Sequence, residues 1–185
     1  MSKYLFTSFV IISFILGLGT GFIISPEYTN KMSDRKVVMI DLGRADRYVD
    51  LRYLNGMIAH HLKALYLSKQ AASHSQRPEI KQLAIDIVKA DEKGIVELYQ
   101  WKKTLFNDTR RIVNYEKINL GSFDDKFDLR YINAIIAHHD EAIMVAREIR
   151  TKSMRNEILN LADSVIQGLG KNRETLVGWQ TNWYK

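Results

Sequence analysis

Apolar residues beyond position 43 recur at i, i+3, i+4 and i+7 with polar residues between them, the spacing of amphipathic helices. In the first such stretch Leu54, Met57, Ile58, His61, Ala64 and Leu65 form one stripe. Arg52, Asn55, Lys63, Lys69 and Gln70 take the other face. The pattern breaks from Ser73 to Pro78, and Pro78 suits the first turn of a second helix, where its missing N–H is not needed. Ile80, Leu83, Ala84, Ile87, Ile95, Leu98 and Leu105 line one side of that helix. A polar stretch from Asn107 to Gly121 follows. Ser122-Phe123-Asp124-Asp125 then reads as a capping box that opens a third helix.

The same text returns at an offset of 78 residues, from Asp50 to Asp128. Asp50-Leu51-Arg52-Tyr53-Leu54-Asn55 recurs as Asp128-Leu129-Arg130-Tyr131-Ile132-Asn133, and Ile58-Ala59-His60-His61 as Ile136-Ala137-His138-His139. The register holds to the end, pairing Trp101 with Trp179. The chain therefore predicts two copies of one helical hairpin. A lone hairpin cannot bury both of its faces, so the expected fold is all-α: an up-down-up-down four-helix bundle.

Ahead of the repeats, Tyr4 to Ile24 is a run of 21 residues without charge. At about 1.5 Å per residue it is long enough to cross a bilayer core. The expected organisation is a transmembrane anchor over 1–25 and a linker over 26–43. Hairpin repeats over 44–106 and 122–185 are joined by a connector over 107–121. A signal-anchor with a short leading tail places the bulk of the chain on the extracytoplasmic (periplasmic) side of the inner membrane. Gly17 and Gly21 form a small-xxx-small pair that can pack two anchors together, which would make the protein a homo-oligomer.

Composition adds exclusions. With no cysteine among 185 residues, disulfides, thiolate metal sites and thiol catalysis are out. The net charge of +6 is spread over alternating acids and bases, with basic clusters no longer than pairs such as Arg110-Arg111, so no nucleic-acid footprint is expected. No phosphate-binding glycine loop, nucleophile elbow or Glu-x-x-His motif is present.

Four of the five histidines make up the two pairs. His60 and His61 flank Met57 as its i+3 and i+4 neighbours, so both imidazoles turn partly inward. In an up-down-up-down bundle the first and third helices are parallel, which puts His60, His61, His138 and His139 in one layer. Reflecting position 61 through a turn near Gln76 brings Asp91 to the same depth, while the second copy has Leu169 there and Ile135 in place of Met57. Imidazole is the commonest metal ligand near neutral pH, and a carboxylate can ligate or orient a ring. Copper or zinc suits this set, with Met57 favouring copper. The competing reading is a structural or protein-interaction bundle whose histidines are satisfied core residues. Trp101 and Trp179 read as packing anchors, and Met144 falls on the polar face.

At Met57-Ile58-Ala59-His60-His61 the chain resembles the domain of unknown function 305 family, whose members carry a Met-Ile-x-His-His signature and a Trp closing the next helix, here Trp101. The second copy offers Ile135-Ile136-Ala137-His138-His139 and Trp179, so the resemblance runs from about residue 44 to 184. It implies a ferritin-like four-helix bundle, usually exported, with some members handling copper through His and Met. Further family methionines are replaced by Leu67, Leu98, Val145 and Leu176, and a Pro common in the signature by Ala59. A histidine-based site remains. The expectation is a non-catalytic, membrane-anchored metal-binding protein serving metal storage or resistance, with His60, His61, His138, His139, Met57 and Asp91 as ligands.

Overall fold

The computed structural model describes residues 40–184. The regular elements among them are four helices: α1 (Val49–His74), α2 (Pro78–Phe106), α3 (Phe127–Arg150) and α4 (Asn156–Trp183). None of these is long and apolar enough to cross a membrane. The predicted anchor at 1–25 lies outside the described residues.

Helix ends follow local chemistry. Pro78 opens α2 in its first turn, and Asn107 ends it in the left-handed conformation at φ 50°. The predicted capping box is not used: α3 begins after Lys126, whose N–H donates to Asp124 Oδ1 at 3.0 Å. The carbonyl of Ser122 is instead taken by Arg130. That arginine also donates to Leu120 O at 2.6 Å and pairs with Asp124 at 2.9 Å. Arg52 does the same to Leu42 O at 2.7 Å, Arg44 O at 2.6 Å and Asp46 at 3.0 Å. The duplication thus includes the loop before each hairpin. Both loops turn on a glycine of positive φ, Gly43 at 58° and Gly121 at 80°, a conformation that costs a side-chain-bearing residue steric strain.

Packing joins α1 to α2, α3 to α4, and α1 to α3. Here the up-down-up-down order fails: α1 and α3 are antiparallel. Asp50 at the start of α1 pairs with Arg155, just beyond the end of α3, at 3.1 Å. Asp128 at the start of α3 accepts the Arg77 N–H, beyond the end of α1, at 3.2 Å. Between them, the Ser68 and Tyr131 hydroxyls are bonded at 3.0 Å. The directions run up, down, down, up, and the physical reason is the connector. Ile112 N donates to Tyr99 Oη at 2.8 Å, Glu116 pairs with Lys63 at 2.7 Å, and Gln70 holds Ile118 O and Leu120 N at 2.9 and 3.1 Å. The segment therefore climbs along α1 and delivers α3 at the far end. One long crossover is the connection pattern of ferritin-like bundles.

Equivalent residues of the two copies consequently face each other about a local two-fold axis. One apolar cluster, with Tyr53, Leu54, Met57, Val145, Ile149 and Ile158, fills one end. A second, with Leu67, Ile80, Tyr131, Ile132, Ile135 and Leu176, fills the other. The histidine pairs lie between them, where the axis crosses the α1–α3 seam.

Candidate metal centre

Adjacent residues on a helix point about 100° apart, so each pair splits its rings between two directions. The His60 and His61 centroids are 6.3 Å apart at 84°, and those of His138 and His139 are 6.3 Å apart at 89°. His60 and His138 point across the seam and stack, centroids 3.4 Å apart and planes within 17°. All six residues singled out from the sequence line one cavity of about 140 Å³ reached by all four helices, its walls otherwise mainly apolar, as at Ile87, Leu98, Trp101, Ile135, Leu161 and Leu169. The common layer predicted from parallel helices thus exists for a different reason: the pairs sit on the two-fold axis, where antiparallel helices also meet at equal depth.

Hydrogen bonds assign the tautomers. A carbonyl or carboxylate only accepts, so the ring nitrogen facing it carries the proton. His60 Nε2 donates to His138 O at 3.0 Å, which leaves Nδ1 with the lone pair, buried and without a partner among the described residues. His139 Nδ1 donates to Ile135 O at 2.6 Å and leaves Nε2 to accept or ligate. His61 Nδ1 meets Asp91 Oδ1 at 2.6 Å, as the reflection through the turn anticipates, and likewise leaves Nε2. His138 Nδ1 is also buried and, among the described residues, unpaired. Asp91 thus stands as the carboxylate that fixes an imidazole, an arrangement that sharpens ring orientation and ligand basicity at metal sites. Its Oδ2 is buried with no partner among the described residues.

Burial holds His60, His138 and His139 toward the neutral form. It pushes His60 down to about 3, with the neighbouring His61 adding to the shift. His138 is driven well below 6.5 by burial and by His60, and His139 is lowered mainly by burial. Neutral imidazole is the form that binds metal, so no proton has to leave before an ion enters. Each unpaired buried polar group costs about 1–3 kcal/mol, a penalty that a bound cation on the lone pair removes. Met57, 1% exposed, adds a thioether at the same cavity. Imidazoles with a thioether fit copper.

Glu141 was not anticipated. It is 5% exposed, and one donor atom from each of His60, His138 and Glu141 lies within 4.8 Å of the others. Its signal in the sequence was the i, i+3 spacing from His138, which puts both on one face of α3. The first copy hides that signal, because the position equivalent to Glu141 is Lys63. Lys63 Nζ is 3.5 Å from Glu141 and 2.7 Å from Glu116. Trp101 and Trp179 pack against the two apolar clusters, and Met144 is exposed, both as expected.

Comparison with known proteins agrees with the repeat. Residues 50–116 and 115–180 each match the family model described as Domain of unknown function (DUF305). A curated relative, uncharacterized protein L153 of Acanthamoeba polyphaga mimivirus, is 36% identical over 63 residues, or 34% of this chain; the match spans 41% of that relative's length. Among solved structures, CopM in its apo and Cu(I)-bound forms aligns with a TM-score of 0.65 at 28% identity, covering 74% of this chain and 98% of CopM. Its Cu(II)-bound form aligns at 0.67 and 26% identity, covering 73% of this chain and 97% of CopM. With both hairpins matched and a His-His pair at the same place in each, the chain belongs to the DUF305 family.

Proposed function

We propose that this protein is a membrane-anchored, extracytoplasmic copper-binding protein that serves metal storage or resistance. The observation that carries the reading is the pair of stacked, neutral, buried imidazoles, His60 and His138, each with an Nδ1 that has no hydrogen-bond partner among the described residues. His61 and His139 add lone-pair nitrogens at the same cavity, and Met57 adds a soft donor suited to Cu(I). The likeness to CopM, solved with Cu(I), Cu(II) and Ag bound, supports copper over zinc. Binding is preferred to catalysis because Asp91, the carboxylate at the cavity nearest the rings, is already committed to His61. Anchoring and export rest on the uncharged run at 4–24.

The test is titration of the full-length chain with Cu(II), Ag(I) as a redox-inert stand-in for Cu(I), and Zn(II). A variant with His60, His61, His138 and His139 all replaced by Ala serves as the reference. Copper or silver binding that disappears in this variant supports the proposal, and zinc binding as tight as copper would reassign the ion. Equal binding by both chains would favour the structural or protein-interaction reading. Two histidines already spend one nitrogen on backbone carbonyls, as that reading requires.

A further inference from the structure

The two-fold axis gives equivalent residues the same surroundings, yet at one such pair the copies carry opposite charges. Lys63 and Glu141 occupy matching positions, one turn beyond His60 and His138, and face each other across the seam at 3.5 Å. Both are largely withdrawn from water, with side chains 14% and 5% exposed. Glu141 is also the carboxylate whose donor atom lies within 4.8 Å of one from His60 and one from His138. A carboxylate beside two imidazoles makes a cation site, and in this structure the cation nearest to it is the Lys63 ammonium. Lys63 has a second partner outside that group, the exposed Glu116 on the crossover, at the shorter distance of 2.7 Å.

We propose that Lys63 is a built-in competitor for the metal: its ammonium bridges Glu141 and Glu116 while the centre is empty, and on metal entry it lets go of Glu141 and keeps Glu116, freeing Glu141 to join His60 and His138. This rests on the copper-binding reading and adds regulation of the same centre. The exchange forms and breaks no covalent bond, since one cation replaces another at a carboxylate. Its physical basis is Coulombic. An ammonium a few ångströms from an incoming ion repels it and neutralises one of its ligands, whereas Glu116 lets the lysine move aside without losing an ion pair. Copper affinity is therefore set below what the donors alone would give, which eases release of a stored ion.

The test compares Cu(II) affinity in four full-length chains: wild type, Lys63→Met, Glu141→Gln and the double variant. Met keeps the length and volume of the lysine stem without its charge, and far-UV circular dichroism reports whether each chain is folded. Lys63→Met should bind Cu(II) about tenfold more tightly than wild type. Glu141→Gln should bind more weakly, and in that background Lys63→Met should change affinity by less than about threefold. A further variant, Glu116→Gln, should weaken binding, because Lys63 then has one carboxylate left and holds it. Unchanged affinity in folded Lys63→Met, alongside a wild type whose binding depends on the four histidines, would overturn the competitor role and leave the copper reading standing. Absence of histidine-dependent binding in both wild type and Lys63→Met would overturn both.

Discussion

Tyr53 and Tyr131 are equivalent in the duplication and both are fully buried. The Tyr131 hydroxyl has Ser68 as a partner at 3.0 Å. The two-fold axis puts Ala146, the equivalent of Ser68, in the same apolar cluster as Tyr53, and the Tyr53 hydroxyl has no partner among the described residues. One substitution at two matched sites should therefore have opposite effects. Tyr131→Phe strands the Ser68 hydroxyl, itself 0% exposed, and should cost about 1–2 kcal/mol. Tyr53→Phe removes a hydroxyl that folding desolvates without compensation, and should be neutral or stabilising by up to about 1 kcal/mol. The two variants should differ by about 1–3 kcal/mol, or roughly 3–9 °C in Tm for a domain of this size. Ala146→Ser, by supplying the missing partner, should stabilise by about 0.5–1 kcal/mol and make Tyr53→Phe harmful. Urea unfolding at neutral pH, followed by far-UV circular dichroism, reads all of these from the midpoints. Equal losses at the two tyrosines, or a loss above about 1 kcal/mol for Tyr53→Phe alone, would refute the reasoning.

Three further outcomes follow from the same geometry. Below pH 6.5 an unfolded chain protonates its histidines, while folded His60 stays neutral down to about 3. The unfolded state then binds more protons, so metal-free protein should lose stability as pH falls through that window, by up to about 1.4 kcal/mol per pH unit for each neutral ring. Urea midpoints measured across the window should flatten in His60→Leu, and an unchanged slope would argue against a buried neutral ring. Asp91→Asn removes the carboxylate that fixes His61 and should weaken Cu(II) binding about 10–100-fold, read by competition with a chelator. Met57→Leu keeps the core volume and should reduce Ag(I) affinity far more than Cu(II) affinity, because the thioether is a soft donor; equal effects on both ions would place Met57 outside the coordination shell.

Much of this molecule could be read from one dimension. The helix spacing, the start of α2 at Pro78 and the duplication all depend on local preference and on period, which a linear sequence displays directly. The His61–Asp91 pair was equally accessible, because a short turn dictates which residues of two antiparallel neighbours share a depth. The capping box at Ser122 does not form because Asp124 Oδ1 takes the Lys126 N–H that would close the first helical turn on the Ser122 carbonyl, which Arg130 takes from further along the chain.

The direction of α3 relative to α1 was decided only by the tertiary structure. An apolar stripe states which face is buried, but it reads the same whichever way its partner runs, and a 15-residue connector can either turn back or cross the bundle. The choice here rests on contacts made by the connector itself, through Tyr99, Lys63 and Gln70. That crossing makes the duplication a two-fold, stacks His60 on His138, and sets Lys63 against Glu141. A repeat in sequence specifies that two halves are alike. Only their docking specifies which of their residues meet.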